Sequence, residues 1–445
     1  MSFDRKTAQR IVILAIILVA SILRIRLYGH PALSISGNDT LSYVEASRVP
    51  LFSNEIFTGR RLLTTNLVYK FLEPSEGYQI TINGSLETTR RGFQPGFDGI
   101  VILQAVLSIL GWGALAWVVS DHLKNFPMKL SAAVFILAFA FTPHMADWDS
   151  ILMSESLTFS LFALQLAILL KMVFALHHDP KANITTWLSA WTVIFFLWTF
   201  IKDTNLFTSL VTFGMIAASM VSLRYRKVVA LRVTLLVLAG IFILGFVTSS
   251  ASVRSLVQIT NIYNDDLLPS PLRVEILRQM GMPEPGMPDY HAWFPEHAKG
   301  TLARFMLTHP GYPLLKIVND FPMAFEEISQ TYFKAPELGS AREILMQIGN
   351  ALHPENTTPF VMSVVLLVGL MMLSHQKADD SRPWAWLGGW VFLTASVALI
   401  PTILGDTWAI NRHALFSTMI YRLSMWLFAI ILMDLALSRE KLVNT

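Results

Sequence analysis

The stretch Leu152–Leu176, LMSESLTFSLFALQLAILLKMVFAL, carries one carboxylate near its start, Glu155, and one cation near its end, Lys171. Between them only Ser, Thr and one Gln interrupt the apolar residues. A helix needs about 20 mostly apolar residues to cross ~30 Å of hydrocarbon. This stretch is long enough. Nine more repeat the pattern outward from it: Ile11–Leu27, Phe97–Val119, Leu130–Met145, Trp187–Ile201, Leu206–Leu223, Val228–Thr248, Phe360–Leu373, Trp384–Leu404 and Ala414–Leu437. The expectation is an all-α, polytopic integral membrane protein with about ten transmembrane helices, the third, fifth and eighth being short.

Composition agrees. Of 445 residues, 53% are apolar and only 15% charged, where a soluble domain carries roughly 25% charged residues. Mean hydropathy is +0.50. A net charge of +3 gives no case for a nucleic-acid partner. With no cysteine there is no disulfide, thiolate metal ligand or Cys nucleophile. The apolar run from Ile11 follows a basic start, but Arg24 and Arg26 stand where a signal-peptide cleavage site would be needed, so it is expected to stay as the first span.

The distribution of cations sets the expected orientation, because Lys and Arg near span ends favour the cytoplasm. With both termini inside, fifteen of them fall in short cytoplasmic segments, among them Arg5, Lys6, Lys124, Lys129, Arg224, Arg226, Lys227 and Arg382. The three short external loops hold only Lys202 and Arg412. Two long segments then face outward. The chain divides into an N-terminal membrane module, residues 1–248, that includes an external loop at 28–96; a large external loop at 249–358; and C-terminal membrane helices at 359–445. The large loop has helical patterns around Leu272–Met280, Glu296–Thr308 and Ala341–Leu352, with a Pro/Gly-rich break at Gly281–Pro288. In the first loop, Arg61–Leu72 puts Leu63, Leu67 and Phe71 on one helical face, suited to the membrane interface. No internal repeat is visible.

Few charged residues remain that could carry chemistry. Asp39, in Gly37-Asn38-Asp39-Thr40-Leu41-Ser42-Tyr43, lies just outside the first span, where it could meet a lipid-borne substrate or simply cap a helix beginning near Leu41. Asp147 and Asp149 share an Asp-x-Asp spacing, which is open to a divalent cation and equally to a solvated loop. Glu155 opens an apolar helix, either facing a wet cavity or favouring the helix dipole. Lys202 and Arg412 are lone cations in short outer loops; each could hold a phosphate or reach toward headgroups. Arg422 lies deeper and is expected to pair inside the bundle.

This constellation resembles the GT-C superfamily of integral-membrane glycosyltransferases, with nearest likeness to the protein O-mannosyltransferases and to the bacterial enzyme that adds aminoarabinose to lipid A. The likeness is carried by Asp39-Thr40-Leu41-Ser42-Tyr43, Arg60-Arg61 before an amphipathic helix and Val101-Ile102-Leu103-Gln104. It continues in Ile151-Leu152-Met153-Ser154-Glu155-Ser156-Leu157, Thr308-His309-Pro310-Gly311-Tyr312 and Asn411-Arg412-His413. The resemblance implies transfer of a sugar from a polyprenyl-phosphate donor to an acceptor hydroxyl on a glycan, lipid or protein, outside the cytoplasm and with inversion. It makes Asp39 the general base, sets Glu155 in the same cavity, and gives the donor phosphate to Lys202, Arg412 and Arg61. Asp147-Trp148-Asp149 is similar to the acidic pair of metal-dependent oligosaccharyltransferases, whereas nearer relatives work without metal; no cofactor is firmly expected and a divalent cation stays open. The family often has two adjacent acids in the first loop, and here Asp39 is flanked by Asn38 and Thr40. A glycan on the Asn38-Asp39-Thr40 sequon would sit on the proposed base, which favours a bacterial inner membrane over the secretory pathway. The alternatives are a lipid or solute transporter, its intramembrane charges lining a path, and an O-antigen polymerase or ligase, which would use a diphosphate-linked oligosaccharide.

Overall fold

The computed structural model describes residues 4–27, 34–36, 39–72, 74, 96–252, 254–328, 339–375 and 381–443. The chain is all-helical, with no strand among the described residues; Ile35 and Ile151 form an isolated parallel bridge. Helices α1 (Arg5–Leu27), α2 (Thr40–Ser47), α3 (Glu55–Thr58) and α4 (Leu63–Leu72) precede the main bundle. Next come α5 (Asp98–His122), α6 (Phe126–Phe141), α7 (Pro143–Ala146), α8 (Glu155–His178), α9 (Thr185–Thr199) and α10 (Phe207–Ser219). The large connection holds α13 (Arg254–Asn261), α14 (Pro271–Gln279), α15 (Pro288–Thr308), α16 (Gly311–Asp320) and α17 (Gly339–Leu352), after α11 (Leu223–Arg226) and α12 (Val229–Ser250). The chain ends in α18 (Thr358–His375), α19 (Ser381–Gly405), α20 (Ile410–His413) and α21 (Leu415–Val443).

Each of the ten apolar stretches is helical, one of them divided between two helices, but ten membrane spans are not shown. Six of these helices (α5, α8, α12, α18, α19 and α21) are long and apolar enough to cross a membrane, or up to seven if a bent pair forms one span. Helices α9 and α10, at 15 and 13 residues, are shorter. The stretch expected to run unbroken from Leu130 to Met145 is instead cut at Thr142: α6 stops at Phe141 and the chain turns by 53° into Pro143–Ser150. Pro143 explains the break, because its ring disfavours helical geometry at Thr142 and it has no N–H to continue the ladder.

The outward faces of the bundle are apolar: Leu18 is 60% exposed, Val193 59% and Leu236 75%. Apolar side chains spread along whole helices in this way match lipid rather than water. This is a membrane protein. Its centre is aromatic, with Phe162 stacked on Trp390 at 5.8 Å and edge-on to Phe416 at 5.1 Å. The indole N–H groups are satisfied there, Trp198 donating to the Thr158 carbonyl (3.0 Å) and Trp390 to Thr212 Oγ1 (2.9 Å).

The large connection folds on its own small core, in which Tyr263, Leu267, Leu277, Ala298 and Phe305 are buried together. Its three expected helical patterns appear as α14, α15 and α17, and Gly281 and Gly286, at φ +100° and +86°, make the break between the first two. Of the first connection, 28–33, 37–38, 73 and 75–95 lie outside the described residues. Helix α4 departs from expectation. Its apolar stripe is split, Leu63 buried but Phe71 69% exposed, and the face that turns inward is Thr64, Thr65, Asn66 and Tyr69. The polar groups go inward because carbonyls await them: Thr64 Oγ1 donates to Leu197 O at 2.6 Å, and Asn66 Nδ2 to Ile56 O and Arg61 O at 3.1 and 3.0 Å.

Candidate active site

Asp39 occupies the N-cap position of α2, as its local sequence allows, yet its side chain makes no cap hydrogen bond. The carboxylate reaches across the fold instead. Oδ2 accepts from Arg412 Nη1 at 2.8 Å, and Oδ1 lies 3.3 Å from Arg61 Nη2. Burial pushes the Asp39 carboxyl up, but Arg412 and Arg61 outweigh burial and hold it below the usual carboxylate range. The Asp39 side chain keeps 34% exposure, whereas Arg412 is only 11% exposed.

Arg61 is fixed from three sides. Its Nε donates to Ser42 Oγ at 2.8 Å, and its guanidinium lies 4.0 Å from the centre of the Tyr43 ring, a cation–π contact. Tyr43 stacks on Tyr69 at 5.4 Å. Burial would lower the Arg61 pKa, but Tyr43, Asp39 and Glu155 raise it above its ordinary value, so its charge is secure. The Tyr43 hydroxyl donates to Ser154 Oγ at 3.0 Å, tying α2 to the residue before Glu155.

Glu155, the first residue of α8, is buried and pairs through Oε1 with Lys202 Nζ at 3.2 Å. Lys202 follows α9, so the end of α9 is clamped to the start of α8. Three polar atoms here are buried without a hydrogen-bond partner among the described residues: Glu155 Oε2, Arg412 Nε and the Tyr69 hydroxyl. An acceptor and two donors left open beside a partly exposed carboxylate are what a substrate with hydroxyl and phosphate oxygens could satisfy.

The structure therefore brings together Asp39, Glu155, Lys202, Arg412 and Arg61. Lys202 and Arg412, unpaired by sequence reasoning, each rest on a carboxylate rather than reaching to headgroups. The Asp-x-Asp pair forms ion pairs with other residues. Asp147 pairs with Arg342 of α17, and Asp149 with Arg24 of α1 while also accepting from Ser156. With each carboxylate neutralised by a buried arginine, the pair is poorly suited to the divalent cation its spacing suggests. No group of three or more His, Cys, Asp or Glu side chains that could hold a metal ion occurs among the described residues. Arg422 does pair inside the bundle, but with carbonyls: Nε donates to Pro354 O at 3.0 Å and Nη2 to Phe325 O at 2.9 Å.

Sequence reasoning missed the support behind Arg412. Its Nη2 donates to His413 Nε2 at 2.9 Å, leaving the ring proton on Nδ1, which faces Asp406 Oδ2 at 2.6 Å. Asp406 also accepts from the backbone N–H groups of Thr407 (2.8 Å) and Trp408 (3.1 Å), so the chain Asp406–His413–Arg412 is anchored to backbone. A second anchor holds Arg254 in a two-point pair with Asp203 (2.9 and 3.0 Å), one residue past Lys202. The adjacency of His413 to Arg412 was the available signal, but Asp406 lies beyond any local pattern.

Against known proteins, no family model matches the chain and no curated protein does. Solved structures do. They are structures of an archaeal oligosaccharyltransferase. The structures are AglB from Archaeoglobus fulgidus with an inhibitory peptide and a dolichol-phosphate (TM-score 0.45, 11% identity, 94% of this chain), and the same organism's enzyme tethered to an acceptor peptide (0.44, 10%, 97%). The apo form of the Archaeoglobus enzyme scores 0.40 at 12% identity over 94% of this chain. This chain spans about half the length of each, 50%. Their ligands belong to them; the chemistry open to this chain is set by its own site.

Proposed function

We propose that this protein is a membrane glycosyltransferase that moves a sugar from a polyprenyl-phosphate donor to an acceptor hydroxyl, with inversion, on the extracytoplasmic side of a bacterial inner membrane. The observation that carries this proposal is the Asp39 carboxylate held between Arg61 and Arg412, partly open and beside the Glu155–Lys202 pair. A base and three cations in one space are what attack by a hydroxyl and departure of a phosphate require. The acceptor is a hydroxyl of a glycan, lipid or protein; the other partners are membrane lipids.

In this scheme the donor phosphate enters carrying negative charge and competes with Asp39 for the two arginines. As they turn to the phosphate, the carboxylate is released to accept the proton of the acceptor hydroxyl. The hydroxyl oxygen forms its bond to the anomeric carbon while the bond from that carbon to the phosphate oxygen breaks. The electron pair leaves with the polyprenyl phosphate, whose charge Arg61, Arg412 and Lys202 stabilise. Glu155, with one oxygen open, orients the acceptor. The fifteen-to-two asymmetry of cations supports placing this end of the bundle outside.

Transfer assayed with labelled polyprenyl-phosphate sugar tests the base directly. Asp39→Asn keeps shape but removes the proton acceptor, and the rate should fall about 10²–10⁴-fold. Undiminished transfer by a correctly inserted variant would remove Asp39 from the role. Consumption of a diphosphate-linked oligosaccharide in place of the monophosphate would move the protein to the polymerase or ligase class.

A further inference from the structure

At the far end of α8 from Glu155 the bundle encloses a second space, a cavity of about 420 Å³. That is within the roughly 300–1,000 Å³ of ligand pockets. Met172 lines it, seventeen residues along the helix from Glu155 and so about 26 Å away along the axis. Its inner wall is apolar and buried, built from Met172 and Leu176 of α8, Trp191 of α9, Ile216 of α10 and Leu231 of α12. At one side stand Arg224 and Arg382, with Ser219, Ser222 and Tyr225. No carboxylate pairs with either arginine among the described residues; the Arg224 guanidinium donates to the carbonyl of His177 and lies 5.7 Å from the centre of the Tyr225 ring. Trp386, whose indole N–H donates to Ser219 Oγ at 3.1 Å, completes the polar side. Near it, Lys171 lies 3.8 Å from the centre of the Trp187 ring. Tryptophan, tyrosine and basic side chains at helix ends mark the level of lipid headgroups.

A compartment of this form suits one kind of molecule: an apolar chain inside, a negative group at the arginines. We propose that this cavity binds an anionic phospholipid, its acyl chain lying among α8, α9, α10 and α12 and its phosphate held by Arg224 and Arg382. The occupied lipid would hold five helix ends together at the basic end of the bundle, since α19 contributes Arg382 and Trp386. It is a site separate from the one around Asp39 and stands whether or not sugar transfer is confirmed. Net attraction for anionic over zwitterionic lipid is what distinguishes it from ordinary solvation by the bilayer.

The test is thermal unfolding of the purified full-length protein in detergent, titrated with phosphatidylglycerol, with phosphatidylcholine of the same chains, and with inorganic phosphate. Phosphatidylglycerol should raise the apparent Tm and saturate; phosphatidylcholine and phosphate should not. Arg224→Gln with Arg382→Gln should raise the half-saturating phosphatidylglycerol concentration at least about tenfold, the loss of roughly one charged hydrogen bond. Ala218→Phe, at the cavity wall, should weaken the same response with both arginines intact. Equal shifts with the two lipids would overturn the proposal, as would a response to phosphate alone or wild-type half-saturation in the double variant. Should the variants not fold, native mass spectrometry of the wild-type protein decides: failure to retain phosphatidylglycerol over phosphatidylcholine overturns the site.

Discussion

Arg412 shows how much a single side chain can organise. One terminal nitrogen holds Asp39 and the other meets His413, so both branches of the guanidinium fork are used. Lysine keeps the charge and loses the fork. Arg412→Lys should therefore lower kcat/KM for sugar transfer by about 10- to 100-fold, the loss of one charge-assisted hydrogen bond at roughly 1.5–3 kcal/mol. Assays across donor concentration check this: on the proposed role of Arg412, the KM for the lipid donor should rise, because the phosphate would lose a planar partner. A variant with wild-type kcat/KM would mean that charge alone suffices. Asp39 is the contrasting residue. Its place at the start of α2 was legible from Asp-Thr-Leu-Ser, but its true partner lies 373 positions away in sequence, where no local pattern reaches.

Among the elements, α5 and α8 approach each other closely. A methyl group built on Gly111 would run into the Ser160 carbonyl oxygen, so the two helices meet backbone to backbone there. Small residues allow such contact in membranes, where van der Waals packing takes the place of the hydrophobic drive between helices. Gly111→Ala should separate them at a cost of about 1–3 kcal/mol, seen as a lower apparent Tm in detergent. Gly240→Ala in α12 is the matched control, since nothing lies within 4 Å of the added carbon. It should be neutral or gain about 0.4–1 kcal/mol. Because α8 presents Glu155 at one end and a cavity wall at the other, the variant at Gly111 should also reduce transfer. The helical elements were largely legible, since every apolar stretch is helical, but among the described residues only six helices, or up to seven with the bent pair, are long and apolar enough to cross a membrane. The cut at Thr142 was missed because apolarity continues smoothly through Pro143, while backbone geometry does not. The inward polar face of α4 was missed because its carbonyl partners belong to other elements.

For the molecule as a whole, stability is tied to pH by a buried histidine outside the membrane helices. His353 stacks on His144 at 5.1 Å and contacts the Phe139 carbonyl at 3.1 Å. Burial, and after it the proximity of His144 and Arg422, holds its pKa well below 6.5. The unfolded chain takes up a proton below about pH 6.5 that the folded protein refuses. Stability from this group is thus complete above pH 6.5 and is lost as pH falls toward the folded pKa, at up to about 1.4 kcal/mol per pH unit. The apparent Tm of the wild-type protein should drop more steeply between pH 6.5 and 5 than that of His353→Gln. Parallel curves would assign the acid sensitivity to another group.

What the sequence determined by itself is the solvent and the inventory. Long apolar stretches, sparse charge and one-sided cations dictate helices in a membrane, because unpaired backbone cannot sit in hydrocarbon. Scarcity of charge also singled out Asp39, Glu155, Lys202 and Arg412, each conspicuous where ionised groups are costly. Only the tertiary structure decided which of these work together. It paired Asp39 with Arg412 and Arg61, gave Lys202 to Glu155, set Asp406 and His413 behind the arginine, and spent Asp147 and Asp149 on buried arginines. Local periodicity fixes which face of a helix is apolar. Ion pairing depends on distances between segments tens to hundreds of residues apart, and those exist only once the helices have packed.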